Sequence, residues 1–379
     1  MGSASSSERS GERIASDREV SDSLSRAQRF LLSAAEDDFV TLCHEMVFPR
    51  LAGFTGATEK QSSDVFARAE LCSVLLDIAA LEAPDTGFAA TWRSAARQGA
   101  DYVARAKLKD RAGGWSYFPG LPELPPDVDS LAAALYLFTR IAPEYAELCQ
   151  EPIRIALANQ GTDGSLETWI VAPSDGLQER QAMERGIRDF WGTGADADVL
   201  ARFCHALSCF DGRRFREVVT RIIPAILARQ HPGGHWDVSW YYHPYYGTAL
   251  CLRALREFPE AEHAVRRAVQ FLRSSQNPDG CWGRGQMSPM DTALALWALD
   301  CAGETPVNGR GAIDGLIEMQ AAEGFWTGTP WIQMGIGRAR GKPIRVATYG
   351  STVLTTAYCV RSILRVLASA AGGAGDCAD

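Results

Sequence analysis

Three copies of one short pattern constrain this chain more than any other feature. Gln230-x-x-x-Gly234-x-Trp236, Gln276-x-x-x-Gly280-x-Trp282 and Gln320-x-x-x-Gly324-x-Trp326 follow one another at intervals of 46 and 44 residues, the period of an array of helical repeats. A weaker copy ends in Gly113, Gly114 and Trp115, and another runs through Gln160, Asp163 and Gly164 without the Trp. Ahead of each turn lies a segment with polar residues on one side, at about 86–107, 143–159, 213–229, 260–275 and 309–321. Such a pattern predicts outer, half-exposed helices. After each turn comes a shorter run, apolar or small nearly all round, at 130–141, 198–210, 247–255, 291–301 and 351–367. Those runs predict helices buried on all sides. An outer helix at about 20–48 and an inner one at 64–81 complete six pairs. Strand-period alternation is nowhere sustained, so the fold class expected is all-α. Six pairs can close on themselves, removing the ends that an open array must cap. The expectation is a single α/α barrel (toroid) of six outer and six inner helices over residues 21–368, with disordered tails at 1–20 and 369–379.

Composition supports a globular chain and narrows its partners. Of 379 residues, 46% are hydrophobic and 22% charged, ample for a core. A net charge of −8 gives no field for a polyanion, so nucleic acid is not expected as a partner. No run approaches the roughly 18 apolar residues of a membrane span, and the first residues are charged where a signal peptide is apolar. A cytoplasmic location is expected, with peripheral membrane contact left open and the oligomeric state unspecified. Cys72, Cys204, Cys209, Cys251, Cys301 and Cys359 lie in apolar helical runs and read as reduced core residues.

All of the repeated turns fall on the face where the inner helices start, and the long linkers, 160–195 and 325–350, lie there too. Loops on a rigid scaffold are the usual place for function, so the cavity is expected to open on that face. Three features there coincide: the Gln-x-x-x-Gly-x-Trp turns, the spacing Phe271-Leu272-x-x-x-Gln276, and the inner-helix start Pro125-Pro126-Asp127-Val128-Asp129-Ser130. Together, over roughly residues 60–368, they resemble the squalene–hopene cyclase and prenyltransferase superfamily, the class II terpene cyclases in particular. In those cyclases an Asp-x-Asp-Asp motif protonates an alkene or epoxide through its middle Asp. The resemblance makes Asp129 the proton donor and Asp127 the first Asp, while Ser130 stands where the last Asp would be. Such a donor must be a neutral carboxylic acid in a dry pocket. An Asp at a helix start is also a preferred N-cap, and Asp196, Asp198 and Asp291, at comparable helix starts, read as caps.

Other chemistries of the superfamily leave less trace. Protein prenyltransferases hold zinc with Asp, Cys and His, but beside Asp291 this chain has Ala293 and Thr355 at the Cys and His positions. Asp279 and Cys281 fall inside a repeated turn, and the pairs Cys43-His44 and Cys204-His205 read as helical neighbours pointing about 100° apart. No metal site is expected. Aromatic faces stabilise cations, so Trp115 and Tyr117, and then Trp240, Tyr242, Tyr245 and Tyr246, are candidates for the cavity wall, with His243 a candidate partner for a catalytic carboxyl. Arg338, Arg340, Lys342 and Arg345 form a basic loop suited to an anionic head group.

The function expected is a proton-initiated cyclase or isomerase acting on an isoprenoid or related polyunsaturated substrate, with Asp127 and Ser130 orienting Asp129. It requires no cofactor, except Mg²⁺ where the substrate is a diphosphate. Two alternatives stay open. One is a toroid that binds a hydrophobic ligand or peptide without turnover, and the other is a zinc-independent, diphosphate-dependent prenyl transferase or lyase.

Overall fold

The computed structural model describes residues 15–56, 58–82, 87–283, 287–341, 343 and 345–373. With one linker helix excepted, the helices alternate between two concentric layers along the chain. They are α1 (Asp17–Glu36), α2 (Val65–Leu81), α3 (Phe88–Arg105), α4 (Val128–Ile141), α5 (Gln150–Ala158), α6 (Leu177–Gly186), α7 (Ala197–Asp211), α8 (Arg216–Leu227), α9 (Pro244–Leu255), α10 (Glu262–Ser274), α11 (Pro289–Ala302), α12 (Gly309–Glu318) and α13 (Thr352–Gly373). The inner helices α2, α4, α7, α9, α11 and α13 each pack on the next, and α13 returns to α2. The α/α barrel is therefore closed. Its layers follow from composition: α11 is buried nearly throughout, whereas α10 buries only Ala264, Ala268, Val269 and Leu272 along one stripe.

The repeated turns join neighbouring outer helices, a more specific job than ending one helix. Gln230 Nε2 donates to Gly234 O at 2.7 Å within its own turn and to Ala264 O of α10 at 2.8 Å. Gln276 likewise bonds Gly280 O and Asn308 O, and Gln320 bonds Gly324 O and Ser23 O of α1. Trp236, Trp282 and Trp326 each donate Nε1–H to the carbonyl ten residues upstream, at 2.9, 2.9 and 2.6 Å. Gly234 has φ +99°, and a β-carbon there would fall 2.4 Å from Arg267 O of α10. Only glycine admits both the conformation and the approach.

Several boundaries differ from the sequence reading. Helix α1 starts at Asp17 behind a Ser16–Glu19 capping box, inside the stretch expected as tail, and α13 continues past 369 to Gly373. Residues 1–14 and 374–379 lie outside the described residues. The first outer helix ends at Glu36, and His44–Val47 (β1) pairs antiparallel with Lys60–Ser63 (β2), so His44 is not helical. The linker before α13 is a second hairpin, Ile332–Ile336 (β3) with Arg345–Tyr349 (β4). The all-α expectation thus holds for the barrel, while short hairpins furnish its mouth. Cys209 is exposed rather than in the core. The stretch Thr352–Ala370 of α13 is long and apolar enough to cross a membrane, and its burial in the barrel wall accounts for that composition.

Over the mouth the hairpins and linkers carry their own apolar cluster, a canopy that includes Phe48, Phe54, Phe118, Trp169, Phe190, Trp191 and Met334. Phe54 stacks on Phe190 at 4.0 Å, and His44 stacks on Tyr349 at 4.6 Å.

Candidate active site

Helix α4 starts where two linker backbones clamp it: Asp127 N donates to Trp115 O at 3.1 Å and Val128 N to Thr168 O at 2.8 Å. Asp127 is the N-cap. Its carboxylate accepts from Ser130 N at 2.6 Å and from Ser130 Oγ at 2.9 Å. Burial, and next the neighbouring Asp129 charge, push Asp127 up to about 7.

Asp129, two residues on, is buried among long-range partners. Tyr241 OH donates to Asp129 Oδ2, and Arg202 Nε lies 2.7 Å from Oδ1. Arg202, on α7, also pairs with Glu70 Oε2 at 2.5 Å and donates to Tyr246 OH. Tyr358 OH closes the far side of Glu70 at 2.8 Å. Burial pushes Asp129 up and the Arg202 charge and the Tyr241 hydrogen bond push it down, with a net rise. At Glu70 burial also pushes up, but Arg202 and Tyr358 bring the carboxyl below its ordinary range.

Asp127, Asp129 and Ser130 line one narrow cavity of about 50 Å³, walled by Phe66, Tyr117, Trp169, Trp240, Tyr241 and Met334 among others. Of the residues read from sequence, this cavity gathers Asp127, Asp129, Ser130, Tyr117 and Trp240. The others stand elsewhere. Trp115 is a joint residue, its Nε1–H bonded to Val103 O at 2.8 Å. Tyr242 is 41% exposed, with its backbone N–H bonded to Trp331 O at 2.8 Å. Tyr245 packs against Phe271 of outer helix α10. Tyr246 sits behind Tyr241, ring centres 4.3 Å apart, with its hydroxyl toward Arg202. His243 bonds Asp291 Oδ1, not Asp129. Arg338 is tied to Asp196 at 3.1 Å and lies over the Trp240 ring. Arg345 is exposed and reaches Val47 O. Lys342 and the Arg340 side chain lie outside the described residues.

Sequence reasoning passed over Glu70 and Arg202, although the one Glu of α2 and the one Arg of α7, each between apolar neighbours, are a signal of a buried ion pair. Tyr241 stands among the aromatics at 240–246 but is not one of the wall candidates named from the sequence. The three acids read as caps are not: Asp196 makes no cap bond but accepts from Thr168 Oγ1, Ser239 Oγ, Trp240 Nε1 and Arg338. Asp198 is fully buried, neither oxygen hydrogen-bonded. Asp291 pairs with His243, and Ser288 caps that helix instead. Away from the cavity, His231, His235 and Asp237 bring ligand atoms within 4.8 Å of one another on a repeated turn. That donor set suits a transition metal, but His231 Nδ1 is already engaged by Gly233 N–H.

A closed barrel with a buried acid at its mouth defines the class, and the sequence agrees. Residues 93–349 match the squalene-hopene cyclase C-terminal domain, and the chain belongs to that family. Labda-7,13-dienyl diphosphate synthase of Streptomyces clavuligerus is 30% identical over 196 residues, 50% of this chain and 31% of that protein. Terpentedienyl-diphosphate synthase of Kitasatospora griseola is 30% identical over 236 residues, 59% of this chain and 41% of that protein. The chain thus spans about a third to two fifths of these curated relatives. Among solved structures, type II terpene cyclase MstE from Scytonema aligns over 93% of this chain and 99% of its own, with a TM-score of 0.66 at 18% identity. That likeness is one of fold. A variant of MstE has been solved with geranylgeranyl dihydroxybenzoate.

Proposed function

We propose that this protein is a proton-initiated cyclase of an isoprenoid polyene, with Asp129 as general acid. One observation carries the reading: Asp129 faces an aromatic cavity while its two oxygens are held by Tyr241 and Arg202. Burial favours the neutral acid before reaction. After the proton leaves, Arg202 and the Tyr241 hydroxyl stabilise the carboxylate left behind, which lowers the barrier to donation. Asp127, up at about 7, sits two residues away as a second proton holder, and Ser130 fixes its orientation. The faces of Phe66, Tyr117, Trp169, Trp240 and Tyr241 then stabilise the carbocation and exclude water.

A volume of about 50 Å³ holds only about four waters, so a polyene enters as Trp169, Trp240 and Met334 move apart. An anionic head group at the mouth would compete with Asp196 for Arg338. Protonation itself calls on side chains alone, and Mg²⁺ enters the reading only with a diphosphate substrate.

Incubation in D₂O with prenyl diphosphates, prenyl alcohols and longer polyenes, followed by mass spectrometry, tests the reading. The expected product is cyclic, isomeric with its substrate and carries one new deuterium. Loss of diphosphate without deuterium would replace protonation by ionisation, and no turnover with retained ligand would favour a binding role.

A further inference from the structure

At the other end of the barrel, toward the C-terminal ends of the inner helices, six side chains close a ring. Asp77 on α2 pairs with Arg140 at 2.8 Å and with Arg361 at 3.3 Å. Arg140 and Arg253 both lie against the Tyr136 ring, at 5.2 and 5.1 Å from its centre. Arg253 and Arg361 both lie against Trp297, at 5.2 and 4.5 Å. The path Asp77, Arg140, Tyr136, Arg253, Trp297, Arg361 and back to Asp77 draws on five of the six inner helices. From the sixth, His205 packs on Tyr136 at 5.0 Å.

Three guanidiniums face one carboxylate in this ring, in a chain whose net charge is −8. Arg140 is otherwise satisfied, donating to Ser73 O at 2.8 Å. Arg253 has no carboxylate or carbonyl partner among the described residues, and its Nε is buried without an acceptor. Arg361 is 3% exposed, and its Nη2 is likewise buried without one. Nearby Asp300 and Glu304 are engaged by Arg365 and Arg273. Burial and next the Arg253 and Arg140 charges hold His205 down at about 2, so it adds an uncharged wall. Compensation of helix-end carbonyls explains Arg140 but not guanidinium groups that reach no carbonyl. Unpaired buried donors of this kind are costly unless an acceptor completes them. A groove of about 850 Å³ along Arg253, Arg216 and Arg256, bordered by Glu257 and Glu260, reaches the ring at Arg253 and His205, and a second of about 240 Å³ reaches it at Trp297 and Arg361.

We propose that this floor is an anion site, in which a phosphate or diphosphate group bridges Arg253 and Arg361. Guanidinium forks match phosphate oxygens bidentately, and a dianion balances the surplus of two positive charges. Asp129 and Arg140 are eleven residues apart on α4, roughly 16 Å along the axis, and the Arg202, Glu70 and Tyr358 network fills the space between. The site is therefore spatially separate from the acid cavity and does not rest on the reading given to it. Its phosphate comes from a free phosphate or diphosphate, or from a lipid head group.

Calorimetric titration with inorganic phosphate and pyrophosphate at constant ionic strength, with chloride as control, tests this. Pyrophosphate is expected to bind with a Kd below about 1 mM, weakened about tenfold or more by Arg253→Gln. Arg154→Gln, at an exposed pair with Glu151 on α5, is expected to bind as the parent does. Arg361→Gln, at the other end of the proposed bridge, serves as second variant should Arg253→Gln unfold. Sedimentation with phosphatidic acid vesicles, but not phosphatidylcholine vesicles, in an Arg253-dependent and pyrophosphate-sensitive way would assign a lipid source; pyrophosphate binding alone would assign a free one. No binding in either arm, or equal binding by parent and both floor variants, overturns the proposal.

Discussion

Two Asp-x-Asp pairs stand at the starts of neighbouring inner helices, Asp127 and Asp129 on α4, Asp196 and Asp198 on α7, and they lead opposite lives. In the first pair the outer acid caps its own helix and the inner one gathers a Tyr and an Arg at the cavity. In the second the outer acid ignores its helix and gathers four side chains from the mouth, while the inner one is buried with no hydrogen bond. The pattern and its place on the helix are shared, so neither decides the role. What decides it is which donors the linkers and the next helix deliver.

Substitutions can break this contrast in turn. Asp129→Asn is expected to lower turnover about 10³-fold or more with the helical circular dichroism unchanged; near-parent turnover would move the acid to Asp127. Arg202→Met leaves Glu70 and Asp129 buried without their shared cation, a loss of about 3–5 kcal/mol in chemical denaturation. Asp196→Ala releases Trp240, Thr168, Ser239 and Arg338 together and is expected to cost about 2–3 kcal/mol, with increased Trp fluorescence quenching at the mouth.

The pH dependence singles out the first pair. Asp127 has its folded value raised from 3.8 to about 7, so between those values the folded state holds a proton that the unfolded state has lost. Stability from this group therefore falls as pH rises from about 4 to 7. Asp127→Asn is expected to flatten that part of a Tm against pH curve. The smallest effect belongs to the acid with no partner: Asp198→Leu is expected to stabilise the protein by about 1 kcal/mol at pH 7. A destabilised Asp198→Leu variant would erase the distinction between the two inner acids.

How far these roles could be read from the chain depends on the distance over which each is made. The repeated turns were legible because Gln, Gly and Trp act within a few residues, Trp236 on Ile226 for instance. Asp127 and Asp129 were legible by resemblance and by their place at a helix start. Tyr241 reaches Asp129 across 112 positions and Arg202 reaches Glu70 across 132, separations that local periodicity does not encode. Among the clustered aromatics, Pro244 at the first turn of α9 sets the register. It turns Tyr246 inward and Tyr245 toward α10, while Tyr242 stays outside. The hairpins escaped notice because strands of four or five residues, such as Lys60–Ser63, are too short for alternation to stand out.

The bond from Gln320 to Ser23 O bears on how the protein is made. Helix α1 finds its seat against α12 and α13, which leave the ribosome some 300 residues later. At about 5–20 residues per second, the first helix waits roughly 15–60 s for its neighbours. Until then its stripe of Val20, Ala27 and Leu31 lacks its neighbours on α12 and α13. The seam of the torus is thus its last joint to form, and the nascent chain is at its most vulnerable to proteolysis and chaperone capture just before the circle shuts.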